Sequence, residues 1–183
     1  VSATENGCEY VYSSVVTVTV TDDIAITGVA PNGSICESGT WNLSLIASGS
    51  PDIQYQWQDS TATGSWQNVS ETGGNTAGFT SDPLAVTTYY RVFISATENG
   101  CEDIYSSVVT VTVFDDITIT GVSPNGAICG SGTWNLSVIA SGSPNIMYQW
   151  QDSTATGSWQ NVSEAGGNTA GFTSDPLAVT TYY

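Results

Sequence analysis

The chain has 183 residues, enough for about two ordinary domains, and its charge is one-sided: a single cation, Arg91, stands against 17 acids, with no Lys and no His, for a formal net charge of −16. Phosphate binding needs clustered Lys and Arg, so nucleic acid is excluded as an expected partner, and an anionic membrane surface with it. No apolar run approaches the roughly 20 residues of a membrane-spanning helix, and charged residues make up only 10% of the chain, too few for a disordered acidic tail.

The sequence repeats itself. Trp57 and Trp150 lie 93 residues apart, and residues 1–90 align on residues 94–183 without a gap and with 12 mismatches, among them Tyr10/Asp103, Thr21/Phe114, Glu37/Gly130 and Gln54/Met147. A period of about ninety residues suits a whole β-sandwich rather than one turn of a solenoid. Three pieces result: residues 1–20 finish one module, 24–113 form a complete one, and 117–183 begin a third. The bridge Arg91-Val92-Phe93, set between Tyr183 and a following Val1, would restore the repeat, so the sequence reads as a window on a longer tandem array joined head to tail.

Taken in order, the complete module predicts only strands. Ile24–Val29 is a first strand, closed by the turn residues Pro31-Asn32-Gly33. Trp41–Ala47 is a second, with Trp41, Leu43 and Leu45 alternating. Ile53–Gln58 is the central strand, placing Ile53, Tyr55 and Trp57 on one face and three Gln residues on the other. Trp66–Val69 is a short edge strand after the Thr63-Gly64 turn, and Phe79–Val86 is broken by Pro83. Thr88–Ala96 alternates Tyr90, Val92 and Ile94 against Tyr89, Arg91 and Phe93. Glu98-Asn99-Gly100 reads as a hairpin turn, and Tyr105–Val113 closes the module with Val109, Val111 and Val113 inward. A Trp on a short alternating strand, about forty residues ahead of a Thr-Tyr-Tyr strand, marks the centre of an immunoglobulin-like sandwich. Neighbouring modules are joined by Thr21-Asp22-Asp23 and Phe114-Asp115-Asp116, too short to be floppy linkers, so the array is expected to be stiff.

Catalysis finds few parts. Without His there is no Ser-His-Asp or Cys-His arrangement, without Lys no Schiff base, and the acids are scattered at turns; no enzyme is expected. The cysteines carry more. Cys8, Cys36, Cys101 and Cys129 follow the repeat, two per module, with no zinc-type spacing, and predict disulfides in an oxidising compartment. Cys36–Cys101 is the favoured pair because it closes one module, with Cys8 and Cys129 pairing outside the sequence. The alternatives are Cys8–Cys36 with Cys101–Cys129, or staples between modules. The favoured pair has a difficulty: Cys36 precedes the second strand at one pole and Cys101 follows the hairpin at the other. It requires Cys36 to lie on a segment running back along the last strand. The acidic joints, Asp22, Asp23, Asp115 and Asp116, offer some of the six to eight oxygens a calcium ion takes; no other cofactor is expected. The plainer reading is that they are solvated and blunt strand pairing. Trp66 with Tyr89 or Tyr105 would make a platform for sugar rings, against the plainer reading that an edge Trp covers packing.

The motifs Ile35-Cys36-x-Ser38-Gly39-x-Trp41-x-Leu43, Tyr55-Gln56-Trp57, Thr87-Thr88-Tyr89-Tyr90-Arg91-Val92, Asn99-Gly100-Cys101 and Val109-Thr110-Val111-Thr112-Val113 together resemble the immunoglobulin-like and PKD-like repeats of giant Bacteroidota surface proteins, including the SprB-type gliding-motility adhesins. The resemblance covers the whole module. It implies export, a filament attached at the outer membrane and displayed on the cell, and partners that are further copies of the repeat and a polysaccharide or other substratum. It also implies O-glycosylation at Ser60 and Ser153, in Asp59-Ser60-Thr61 and Asp152-Ser153-Thr154. The expected function is a stiff stalk for adhesion or gliding; the alternative is a carbohydrate-binding array on a secreted polysaccharide-acting protein.

Overall fold

The computed structural model describes residues 11–61, 64–97, 101–154 and 157–183. Every regular element among them is a β-strand. The complete module contains β1 (Ala25–Val29), β2 (Gly33–Cys36), β3 (Asn42–Ser48), β4 (Ile53–Thr61), β5 (Gln67–Asn68), β6 (Gly78–Thr80), β7 (Thr88–Ala96), β8 (Ile104–Tyr105) and β9 (Val109–Phe114). They form two sheets. One has the order β1-β3-β6; the other runs β2-β9-β7-β4-β5, with β8 also paired to β7.

Side-chain alternation builds the core between the sheets. Along β7, Thr88, Tyr90, Val92 and Ile94 are buried while Tyr89, Arg91 and Phe93 face outward, as their period of two dictates. Trp57, fully buried at the centre of β4, meets Phe79 from the other sheet with ring centroids 5.4 Å apart, and Phe79 meets Tyr90 edge-on at 5.9 Å. The indole N–H of Trp57 donates to the Thr76 carbonyl at 2.9 Å, so this large ring is buried with its one polar atom satisfied. Emptying such a site typically costs about 3–5 kcal/mol.

Two elements differ from the sequence reading. Gly33–Cys36, where the sequence reading places only the end of a turn, is strand β2, which pairs parallel with β9 in the register Gly33↔Val111 to Cys36↔Phe114. The first strand, β1, thus belongs to one sheet and the added strand β2 to the other. The expected single strand Tyr105–Val113 is also split. β8 pairs with the far end of β7 (Ile94↔Ile104) and β9 with its near end (Thr88↔Val111). Between them, Ser106 turns inward, and its hydroxyl accepts the Val92 N–H at 2.9 Å. The hairpin turn expected at 98–100 and Thr63 of the Thr63-Gly64 turn lie outside the described residues.

The second unit repeats this plan with β10 (Thr118–Val122), β11 (Asn135–Ser141), β12 (Gln151–Thr154), β13 (Gln160–Asn161), β14 (Gly171–Thr173) and β15 (Thr181–Tyr182). Its sheets have the orders β10-β11-β14 and β13-β12-β15. Residues 146–150 form no strand, although they repeat the start of β4. In the complete module that stretch pairs with Val92–Ala96, and the sequence stops at the counterpart of Tyr90. Without those partners the backbone groups have no ladder, and an open face of about 310 Å³ remains, lined by Ile117, Ile119, Val138, Met147 and Trp150 among others. Met147, whose counterpart Gln54 is paired within β4, is 93% exposed.

Candidate functional site

Two regions hold the residues that the sequence singled out: the joints between modules, and the outward face of the larger sheet. At the leaving joint, β9 stays hydrogen-bonded up to Phe114, whose carbonyl accepts the Glu37 N–H at 2.8 Å. β10 begins at Thr118, so only residues 115–117 are free of a ladder. Asp116 spends its carboxylate locally, accepting the Ile117 N–H at 2.8 Å. Both joints rest against the following β3–β4 turn or its counterpart. Gly49 (φ +116°) lies against the Asp23 carbonyl, and Gly142 (φ +119°) lies against the Asp116 carbonyl. In each case an added Cβ would collide with that oxygen. Asp22, Asp23, Asp115 and Asp116 are all exposed. Among the described residues no three His, Cys, Asp or Glu side chains gather as metal ligands, so each joint presents two carboxylates rather than the larger oxygen set calcium takes.

The cysteines do not meet as the favoured pairing requires. Cys36, Cys101 and Cys129 are free thiols, and Cys8 lies outside the described residues. Cys36 does lie on a segment beside the last strand, but that segment runs parallel to β9 and carries the thiol away from Cys101. Phe114, level with Cys36, lies three residues beyond the Thr88–Val111 pair, and Ala96, short of Cys101, lies eight residues the other way along β7. At about 3.3 Å per residue the two ends are on the order of 35 Å apart, far beyond the roughly 7 Å between Cα atoms that a disulfide allows. Cys36 and Cys101 instead each touch a joint. The Cys36 S–H points to the Asp115 carbonyl at 3.9 Å, and Cys101 Sγ lies 3.8 Å from Thr21 Oγ1.

On the sheet face, Arg91 is held between two rings, its guanidinium carbon 4.4 Å from the centroid of Trp66 and 4.3 Å from that of Tyr105. Its Nε–H donates to Gln58 Oε1 at 2.9 Å, and Phe93 packs on Tyr105 with centroids 5.1 Å apart. The guanidinium thus covers one face of Trp66 and one of Tyr105, the rings of the expected sugar platform. The sequence reading missed this stack. The signal was present in the period-two placement of Arg91 outward on β7, one strand from the Trp66 edge.

The expected glycan acceptors are engaged locally. Ser60 and Ser153 are 9% and 8% exposed, and their hydroxyls donate to the carbonyls of Gly64 at 2.9 Å and Gly157 at 3.0 Å. They close the turn after β4 and β12, and a sugar on either oxygen would require that turn to open.

Among curated proteins none matches the chain. Among the solved structures that share its fold are two of one protein. Sidekick-1 immunoglobulin domains 1-4 cover 77% of the chain at a TM-score of 0.51 and 18% identity, and domains 1-5 cover 75% at 0.51 and 17%. The chain spans 37% and 29% of those structures, about a third of their length. At such identity the likeness is one of fold: the chain is all-β and built of tandem immunoglobulin-like sandwiches. Residues 26–115, from β1 to the first Asp of the leaving joint, match the family described as "Domain of unknown function (DUF8696)".

Proposed function

We propose that the chain is a segment of a stiff extracellular stalk, a line of immunoglobulin-like modules that holds an adhesive element away from a cell surface, and that it is not an enzyme. The observation that carries this reading is the joint. Phe114 is still in the ladder of one module, Thr118 opens the next, and the carbonyl between them is seated against a glycine of the following turn in both copies. Such a connection transmits direction from module to module, which a linker of free residues does not. A net charge of −16 keeps neighbouring fibres apart. The partners are then further copies of the repeat along the line and a substratum at its end; service in adhesion or gliding at a bacterial surface extends the resemblance of the repeat motifs.

Negative-stain imaging of the native material tests the reading. The expected result is thin filaments with an axial repeat of about 40 Å, the reach of a strand of about a dozen residues. Compact separate particles would overturn it. A carbohydrate-binding array would then take its place if Trp66→Ala also abolished polysaccharide binding.

A further inference from the structure

Cys36 and Cys101 lie at the two ends of one module, and each touches a joint: Cys36 the one that leaves, through Asp115, and Cys101 the one that enters, through Thr21. In the repeat Thr21 corresponds to Phe114 and adjoins the same Asp-Asp pair, so these are one kind of joint seen from its two sides. Where two complete modules follow one another, the joint therefore has against it the Cys36 thiol of the first and the Cys101 counterpart of the second. Their contacts fall on adjacent residues of the connecting tripeptide. We propose that these two cysteines form a disulfide across each joint, stapling every module to its neighbour instead of closing it on itself. The inference rests on the tandem-array reading.

The surroundings suit such a bond. Both thiols lie outside the core, Cys36 exposed and Cys101 half-buried, so an oxidant reaches them. Cys36 is in the β2–β9 ladder, and the joint on the Cys101 side rests on Gly49. Formation consumes one small-molecule disulfide of the glutathione class. One cysteine thiolate attacks it and releases a thiol; the second thiolate displaces the other. Two thiol protons are lost, and the two electrons reduce the reagent to two thiols.

The staple has a mechanical consequence. Residues 101–129 run through β8, β9, the joint and β10, from the entering end of one module toward the leaving end of the next. Those 28 steps, fully drawn out at about 3.3–3.6 Å each, reach on the order of 95 Å. Two modules of about 40 Å each already take up most of that length. Joined by staples, such segments make a covalent line that is nearly taut in the folded array, with β3 through β7 off the path of the load.

The test joins two copies of the chain through Arg-Val-Phe, the residues found at 91–93, and folds the product in a glutathione redox buffer. Peptide mapping without reduction is expected to find Cys36 of the first copy bonded to Cys8 of the second, and Cys129 of the first bonded to Cys101 of the second. The other four cysteines should remain alkylatable. Cys36→Ser, at an exposed position, should remove only the first bond. A Cys36–Cys101 bond within one copy, or no bond across the joints, overturns the inference. Small-angle scattering of the reduced product reads the array separately: an extended line, when the oxidised map has found no bond across the joints, rejects the staple alone, whereas a collapsed particle rejects the array itself.

Discussion

The guanidinium of Arg91 lies 4.4 Å over the ring of Trp66. Trp66, beside the edge strand β5, is half-buried under that guanidinium. The only cation of the chain is thus spent on holding an edge strand to the sheet. Arg91→Ala is expected to lower the stability of the complete module by about 1–2 kcal/mol, the scale of a partly desolvated cation–π contact doubled by a second ring. It should also shift Trp emission to longer wavelength as Trp66 meets water. Arg91→Lys should recover only part of the loss, since an ammonium cannot lie flat between two rings. Denaturant unfolding followed by fluorescence checks both variants; unchanged stability in the Ala variant would show the stack to be incidental.

Stability should rise as pH falls from 7 toward the isoelectric point near 4.1, against the usual course of acid denaturation. Two effects have this sign. The net charge of −16 repels itself less as carboxylates protonate. Asp59, on β4, has its carboxyl raised above the ordinary value by burial, with the Glu71 charge adding to it and a backbone hydrogen bond opposing. A raised acid binds its proton more readily in the folded state, so stability is regained as pH falls through the folded value. Asp59→Asn should raise Tm at pH 7 and flatten this slope. At the alkaline end Tyr90 has the matching role. Burial pushes its phenol from 10.0 up to about 12, outweighing the hydrogen bond with Ser81. Its contribution is complete below pH 10 and is lost as pH rises toward 12. Tyr90→Phe should blunt unfolding in that range.

Much of this was legible in the sequence because the module follows a period of two. Thr88–Ala96 matches β7 to the residue, Trp57 and Val111 lie in the core as expected, and Leu43 and Leu45, read as sharing one face, are buried. Strand β2 was not legible. Pro31-Asn32-Gly33 is a turn signal, and Gly33–Cys36 owe their strand to β9, almost eighty residues away, rather than to any local pattern. The same limit hid the cysteines. Their types and repeat were plain, but the end of the module each occupies depends on β2 running parallel to β9. Ser60 shows the limit of a short motif: Asp-Ser-Thr describes three residues, and its hydroxyl is claimed by Gly64.

Glu37 holds φ at +57°, the left-handed region, immediately after Cys36; its counterpart Gly130 holds +76°. A side chain there costs about 1–2 kcal/mol, while glycine costs roughly 0.5–1 kcal/mol in unfolded-chain entropy. Glu37→Gly is therefore expected to stabilise the module by about 0.5–1 kcal/mol, the net of those terms, and to remove one charge near the joint. Thermal unfolding with and without salt separates the two contributions, since the charge part is screened. A Tm unchanged or lowered in high salt would mean that the strain at this residue is absorbed elsewhere.

The joint makes a sharper demand. Gly49 combines φ +116° with the Asp23 carbonyl where a Cβ would stand. Gly49→Ala therefore meets two penalties: a backbone conformation that L-residues avoid and a collision with main chain rather than with a yielding side chain. The module can relieve the collision only by moving residues 22–23 off the turn, because β3 and β4 on either side are fixed in their ladders. The expected outcome is a loss of about 1–3 kcal/mol together with a wider range of angles between neighbouring modules, read by small-angle scattering on a chain of several modules. Gly142→Ala should do the same at the next joint, where the Asp116 carbonyl takes the place of Asp23. Lost stability with no change in scattering would mean that stiffness comes from elsewhere, for instance from a bond between Cys36 and the following module; repeating the scattering under reducing conditions would then separate the two.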